Sequence, residues 1–255
     1  MTAAATTLPA IELAELVERA ALQCRFDRKY VLPVEAADRL VEALSDRAFV
    51  LDIGGVREFG YESVYFDTEA LYCYRLAARR RRRRFKIRTR LYVDSAECWL
   101  EVKTRGGRGD TLKNRLPYDV AHRGTIHPGR EFVAGVLSGE RIAVGHHDFA
   151  PVLVTRYRRT TLFLPETSSR VTVDVDLTWE STGGRVLRLP HLAIVETKTG
   201  STASAADRLL WTHGHRPARV SKFATGLAAL HPGLPATPWW RTLRRHFPRT
   251  EGVST

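Results

Sequence analysis

Cysteine is scarce in this 255-residue sequence, and acidic residues are outnumbered. Cys24, Cys73 and Cys98 show no C-x-x-C spacing. So small and odd a set argues against a disulfide framework and against a cysteine-built metal site. The expected setting is a reducing one, the cytoplasm. No apolar run approaches the roughly 20 residues needed to cross a bilayer. Residues 1–10 lack the basic region and apolar stretch of a signal peptide. No internal repeat is visible. Against 28 Asp and Glu stand 40 Lys and Arg, a formal net charge of +12. That excess points to anionic partners: nucleic acid, a membrane surface or free polyphosphate. The hydrophobic fraction, 44%, is enough for a real core.

Periodicity divides the chain. Residues 1–7 read as a disordered tail. Ile11, Leu13, Leu16, Val17, Ala20 and Ala21 recur at helical spacing, which predicts a helix over 9–22. Residues 25–32 read as a strand, and Pro33 opens a second helix that buries Val34, Ala37, Leu40, Val41 and Leu44. Strands are then predicted at 47–53, 60–67, 83–93, 96–104, 112–119, 151–164, 169–178 and 190–199. Glycine pairs such as Gly54-Gly55, Gly106-Gly107 and Gly183-Gly184 separate several of them. Short helices are expected at 129–138, 204–211 and 220–231. So many strands with few helices suggest an α+β fold, an antiparallel β-barrel with helices packed outside.

Alternate residues of a strand face opposite sides. Lys86, Arg88 and Arg90 follow Arg84 on one face of the strand at 83–93, and Phe85, Ile87 and Thr89 occupy the other. Glu97, Trp99, Glu101 and Lys103 alternate with Cys98, Leu100 and Val102. Arg170, Thr172, Asp174 and Asp176 alternate with Val171, Val173 and Val175. Glu196 and Lys198 alternate with Val195 and Thr197, and Lys113 and Arg115 form a further pair. Two readings stand: a sheet with one solvated face, common in antiparallel proteins, or an interior lined with charge. Carboxylates mixed among clustered cations, with few neutral polar residues, favour the interior. Packed cations there need carboxylates, water or a bound polyanion, and Arg and Lys donors suit phosphate oxygens.

Several segments in order resemble the VTC-type polyphosphate polymerase domain of the triphosphate tunnel, or CYTH-like, superfamily. They are Arg28-Lys29-Tyr30, Ser63-Val64-Tyr65-Phe66-Asp67-Thr68, Lys86-Ile87-Arg88-Thr89-Arg90-Leu91-Tyr92 and Leu100-Glu101-Val102-Lys103. Lys113-Asn114-Arg115, Tyr157-Arg158-Arg159-Thr160, Arg170-Val171-Thr172-Val173-Asp174, Val195-Glu196-Thr197-Lys198 and Ser221-Lys222-Phe223 complete the series. The resemblance covers roughly 25–230 and implies a tunnel domain over 25–231, flanked by an N-terminal tail and helix at 1–24 and a C-terminal tail at 232–255. It implies an antiparallel β-tunnel and transfer of the ATP γ-phosphate to a growing polyphosphate chain, assisted by Mn²⁺ or Mg²⁺. It implies that Lys29, Arg88, Arg90, Lys103 and Glu196 serve catalysis and that Lys86, Lys113, Arg159, Arg170, Lys198, Arg219 and Lys222 bind substrate. Glu196 would ligate the metal. Family polymerases act beside a membrane-embedded partner, so this chain would stand alone or sit peripherally at a membrane through such a subunit.

Hydrolases of the superfamily resemble one another in an E-x-E-x-K pattern on the first strand. Here the matching positions read Arg25, Asp27 and Lys29. One carboxylate remains, which tilts the reading toward polymerase. A tunnel triphosphatase, or a non-catalytic polyphosphate- or RNA-binding domain, is the alternative. Base-stacking aromatics between the basic groups are few, so no sequence-specific nucleic-acid binding is expected. The run Arg79 to Arg84 reads as a basic loop leading into the strand, or as a nucleic-acid patch. His146-His147-Asp148 reads as exposed or metal-ligating, and Trp239-Trp240 as packing, partner contact or base-stacking. Asp174 and Asp176 read as metal ligands or as neutralisers of arginine.

Overall fold

The computed structural model describes residues 3–20, 26–105, 111–143 and 148–247. Cys24, Arg25, the Gly106-Gly107 pair, and His146-His147 lie outside the described residues. The elements in chain order are α1 (Ala3–Thr7), β1 (Ala10–Ile11), α2 (Leu13–Arg19), β2 (Phe26–Pro33), α3 (Val34–Glu42), β3 (Phe49–Leu51), β4 (Glu58–Asp67), α4 (Tyr72–Ala78), β5 (Phe85–Tyr92), β6 (Glu97–Arg105), β7 (Thr111–Tyr118), α5 (Arg130–Gly139), β8 (Ala150–Leu164), β9 (Ser169–Ser181), β10 (Val186–Leu189), β11 (Leu192–Thr199), α6 (Ala205–Thr212), α7 (Lys222–Leu230) and α8 (Trp240–His246). The chain divides into two compact units. One comprises Met1–Gly60, Tyr157–Leu177 and Arg188–Val220, the other Tyr61–Arg156, Thr178–Leu187 and Ser221–Thr255. No helix among the described residues is long and apolar enough to cross a membrane.

In the first unit β11 is central. It pairs antiparallel with β2, Glu196 opposite Lys29, and with β9, Glu196 opposite Thr172. One face of this ladder is apolar: Tyr30, Leu32, Val171, Val173 and Val195 pack with Ala37, Leu40, Val41 and Leu44 from α3 and its end. Ser204 and Asp207 form a capping box that starts α6, and Leu210 joins the same core. The expected disordered tail is instead partly helical, because Ala5 and Leu8 are buried in that core. Arg57 fixes the segment by donating to the carbonyls of Thr6 and Leu8 and to the Asp52 carboxylate. The single helix expected over 9–22 is β1 followed by α2. Ile11 pairs in parallel with Leu51, and strand pairing outweighs helical spacing there.

In the second unit β4, β5, β6 and β7 form consecutive antiparallel pairs. Phe85, Ile87, Leu100 and Val102 are buried on the apolar face. Gly129 lets the approach to α5 come close, since a Cβ there would lie 2.3 Å from Leu100 Cδ2. The helix α4, absent from the periodicity reading, is held by Asp67, whose carboxylate accepts the backbone N–H groups of Thr68, Cys73 and Tyr74. That is an N-terminal cap supplied by the preceding strand. Tyr74 in turn donates to the Pro235 carbonyl and packs on Trp239. Trp239 is therefore a packing residue, whereas Trp240 is exposed.

Candidate functional site

The charged strand faces are largely withdrawn from water, which separates the two readings of the sequence. In the second unit the cross-strand register places Tyr65 opposite Arg88, Arg88 opposite Glu101, and Glu101 opposite Arg115. Directly opposed side chains in a ladder are about 5 Å apart and share a face. Arg88 is 8% exposed and Glu101 1%. Arg88 Nε and Nη2 donate to Glu101 Oε2 at 2.8 and 2.6 Å, and Nη1 donates to the Tyr65 hydroxyl at 3.1 Å. Lys113 Nζ donates to Glu101 Oε1 at 3.2 Å. Burial alone would raise the Glu101 carboxyl, but Arg88, Arg90 and Lys113 hold it far below the usual carboxylate range.

A second row runs beside this one. Lys86 stands opposite Lys103, and Lys103 opposite Lys113. Lys86 Nζ donates at 2.8 Å to Ser221 Oγ, the side chain that also caps α7. Lys222 is the first residue of that helix. Arg90 contacts Ser63 at 3.5 Å and lies over the Tyr61 ring at 5.6 Å. Arg115 lies over the Trp99 ring at 4.5 Å. Lys113 and Arg115 on β7 are exposed, so this face opens toward its β7 side.

The first unit carries its own cluster. Lys29 Nζ lies 3.6 Å from Glu196 Oε2, and Lys198 Nζ donates to Glu196 Oε1. Lys198 also lies 3.5 Å from Asp27 and stands opposite Arg170. Burial would raise the Glu196 carboxyl, yet Lys29, Lys198 and Arg159 hold it well below its ordinary value. Arg159 makes a two-point contact with the fully buried Asp174, at 2.5 and 2.8 Å. Asp174 thus neutralises an arginine, while Asp176 is exposed in a left-handed conformation at φ 53°. Arg219 is exposed, and its neighbour Ala218 donates a backbone hydrogen bond to the Lys29 carbonyl. The Thr172 hydroxyl is buried beside Glu196 in the register and has no hydrogen-bond partner among the described residues.

Sequence reasoning named the cations and Glu196. It gave no role to Glu101 or Thr172 and left Asp174 open between metal ligand and neutraliser of arginine, although the alternation that singled out their neighbours placed them on the same faces. Their places come from side-chain contacts and cross-strand register. Among the described residues no three His, Cys, Asp or Glu side chains group as metal ligands. Glu196 is engaged by two ammonium groups, so this donor set does not form a resident divalent site by itself.

The VTC domain family model matches residues 24–231. No curated protein sequence matches the chain. Among solved structures, HpAC1 from Hippeastrum, a proposed adenylyl cyclase with dominant triphosphatase activity, aligns with a TM-score of 0.50 at 19% identity, covering 79% of this chain and 94% of that one. A proposed adenylate cyclase from Vibrio parahaemolyticus aligns at 0.39 and 11% identity over 75% and 84%, and a Pyrococcus horikoshii protein at 0.38 and 12% over 74% and 87%. The likeness to HpAC1 shows the fold, a mixed α+β architecture with an antiparallel sheet.

Proposed function

The chain belongs to the VTC domain family, and from that premise we propose that it is a polyphosphate polymerase that transfers the ATP γ-phosphate to a growing inorganic polyphosphate chain. One observation carries the reading: the in-register row Lys86, Lys103, Lys113 across β5, β6 and β7. Like charges directly opposed in a ladder are destabilising. At about 4 Å and an effective dielectric near 20, two cations repel by about 4 kcal/mol. A chain of phosphates, with oxygens on every unit, relieves that repulsion along a whole row at once.

The chemistry asks little covalent work of the protein. A terminal oxygen of the chain attacks the γ-phosphorus, a new P–O bond forms, the β–γ bridge breaks, and ADP leaves with the bridging oxygen. Charge neutralisation and in-line positioning supply the acceleration. Lys29, Arg88, Arg90 and Lys103 are assigned to the reacting phosphates. Lys86, Lys113, Arg159, Arg170, Lys198, Arg219 and Lys222 are assigned to binding. Glu101, Glu196 and Asp174 hold the cations in place. Mn²⁺ or Mg²⁺ enters as the counter-ion of the triphosphate substrate. Polymerase is favoured over hydrolase by β2, where the carboxylate Asp27 is drawn to Lys198.

The test is incubation of the full chain with ATP and Mn²⁺, followed by gel analysis of the products. Chains longer than triphosphate are expected, with ADP. Release of free phosphate without chain growth would replace the polymerase by a triphosphatase, the activity described for HpAC1.

A further inference from the structure

The arginine run at 79–84 links α4 to β5, and only Arg84 continues the charged face of that strand. It leaves the C-terminal end of α4, turns at Arg80 in the left-handed conformation (φ 54°), and enters β5. The turn is held by its own backbone and side chains: Arg81 N–H donates to the Leu76 carbonyl, and Arg84 Nη1 donates to the Arg81 carbonyl. Arg79 through Arg83 are all exposed. Among the described residues Arg79, Arg80 and Arg81 form no ion pair.

Tertiary structure then adds arginines from elsewhere. Arg105 N–H donates to the Arg84 carbonyl, bringing the exposed end of β6 beside the run. Arg83 Nη1 donates to the carbonyl of Arg141, also exposed and left-handed (φ 55°). Arg84 feels the result: burial, Arg105 and Arg80 together pull its pKa down. A fold that gathers cations from three separate segments works against their mutual repulsion, which reaches about 8 Å through physiological salt. The chemistry of the patch narrows its ligand. Guanidinium groups match phosphate oxygens. The exposed run, Arg79 to Arg83, carries no aromatic side chain to stack on bases and no apolar one to enter a bilayer.

We propose that Arg79 to Arg83, with Arg105 and Arg141, form a surface site for inorganic polyphosphate that retains the chain between additions. The retention role rests on the polymerase reading; the binding role does not.

The experiment compares the full-length chain with the triple variant Arg79→Gln, Arg80→Asn, Arg81→Gln. Asn is chosen at 80 because it tolerates the left-handed conformation. A charge-matched control, Arg47→Gln, Arg188→Gln, Arg241→Gln, removes exposed arginines elsewhere. Binding of fluorescent inorganic polyphosphate is titrated over a salt series, with melting curves verifying the fold. The triple variant is expected to bind about tenfold or more weakly, and its log K against log salt slope to fall by about 2, roughly 0.7 per lost contact. With ATP it should make shorter chains at an unchanged initial rate. Equal slopes in wild type and triple variant, or an equal loss in the control, would overturn the site. Normal chain length in a variant with weakened binding would overturn retention. If wild type makes no chains while the binding difference persists, the polymerase reading falls and the surface site stands.

Discussion

Arg88 and Arg90 stand two residues apart on one face of β5, yet their removal should read differently. Arg88 is buried against a buried carboxylate, so Arg88→Ala leaves Glu101 short of its main partner. Breaking such a pair costs about 3–5 kcal/mol, and denaturant melts should show a loss of that order. Arg90 and Lys103 are only partly enclosed, whereas Arg88 is buried. Arg90→Ala and Lys103→Ala should melt near wild type while chain synthesis falls by about 10²- to 10³-fold, the usual cost of losing one donor to developing charge. Wild-type turnover in both would place the face outside the site. Thr172→Val gives a sharper contrast. The hydroxyl is buried without a partner, so deleting it should leave the melting temperature unchanged or higher. If the hydroxyl instead donates to phosphate, KM for ATP rises in the same variant. An unchanged KM would make Thr172 a packing residue alone.

At the scale of elements, α7 matters most, because its first residue is Lys222 and its cap Ser221 receives Lys86. The helix is located by Trp179, whose Nε1 donates to the Lys222 carbonyl at 2.8 Å. Gly226 makes that approach possible: a Cβ there would lie 2.2 Å from Trp179 Cδ1. Alanine is the better helix former by about 1 kcal/mol. The buried indole cannot yield easily, and overpacking costs typically about 1–3 kcal/mol. Gly226→Ala should therefore lower the melting temperature, and Gly226→Ser no less. A stabilised Gly226→Ala protein would show that the helix shifts freely and that Trp179 does not locate it. The helix itself was legible from its apolar spacing at 220–231. Its docking was not, because nothing local to Gly226 signals an indole supplied by β9.

Across the whole molecule, net charge of +12 and carboxylates that titrate low set the response to acid. Glu101 and Glu196 have lower pKa values folded than unfolded. The folded protein therefore binds fewer protons through the carboxylate range. The stability they contribute is present above about pH 4.3, the ordinary glutamate value, and is lost as pH falls through the folded values. Melting temperature should hold from about pH 7 to 5 and then fall, while Glu101→Gln, less stable at neutral pH, should show a shallower acid limb. An unchanged acid limb in that variant would mean that Glu101 does not titrate below its unfolded value.

The sequence by itself determined which residues are charged and which strand faces they share, because side-chain alternation is a local property of extended chain. It also determined most strands from β2 to β11, whose apolar halves demand burial. It was poorer at α1, α4 and α8, which are short and are held by distant groups: the core around Ala5, the Asp67 carboxylate, and the Tyr74 contact beside Trp239. Only the tertiary structure decided that the charged faces are partly withdrawn from water, with Arg88, Glu101 and Asp174 buried on them. Only the tertiary contacts decided that Glu101 serves Arg88 and Lys113 and that Asp174 serves Arg159, and only cross-strand register decided that Lys86, Lys103 and Lys113 form one row. Register depends on which strands are neighbours, and sequence spacing carries no record of that. The outnumbered acidic residues therefore acquire their meaning from placement: Glu101, Glu196 and Asp174 each sit against cations on these faces.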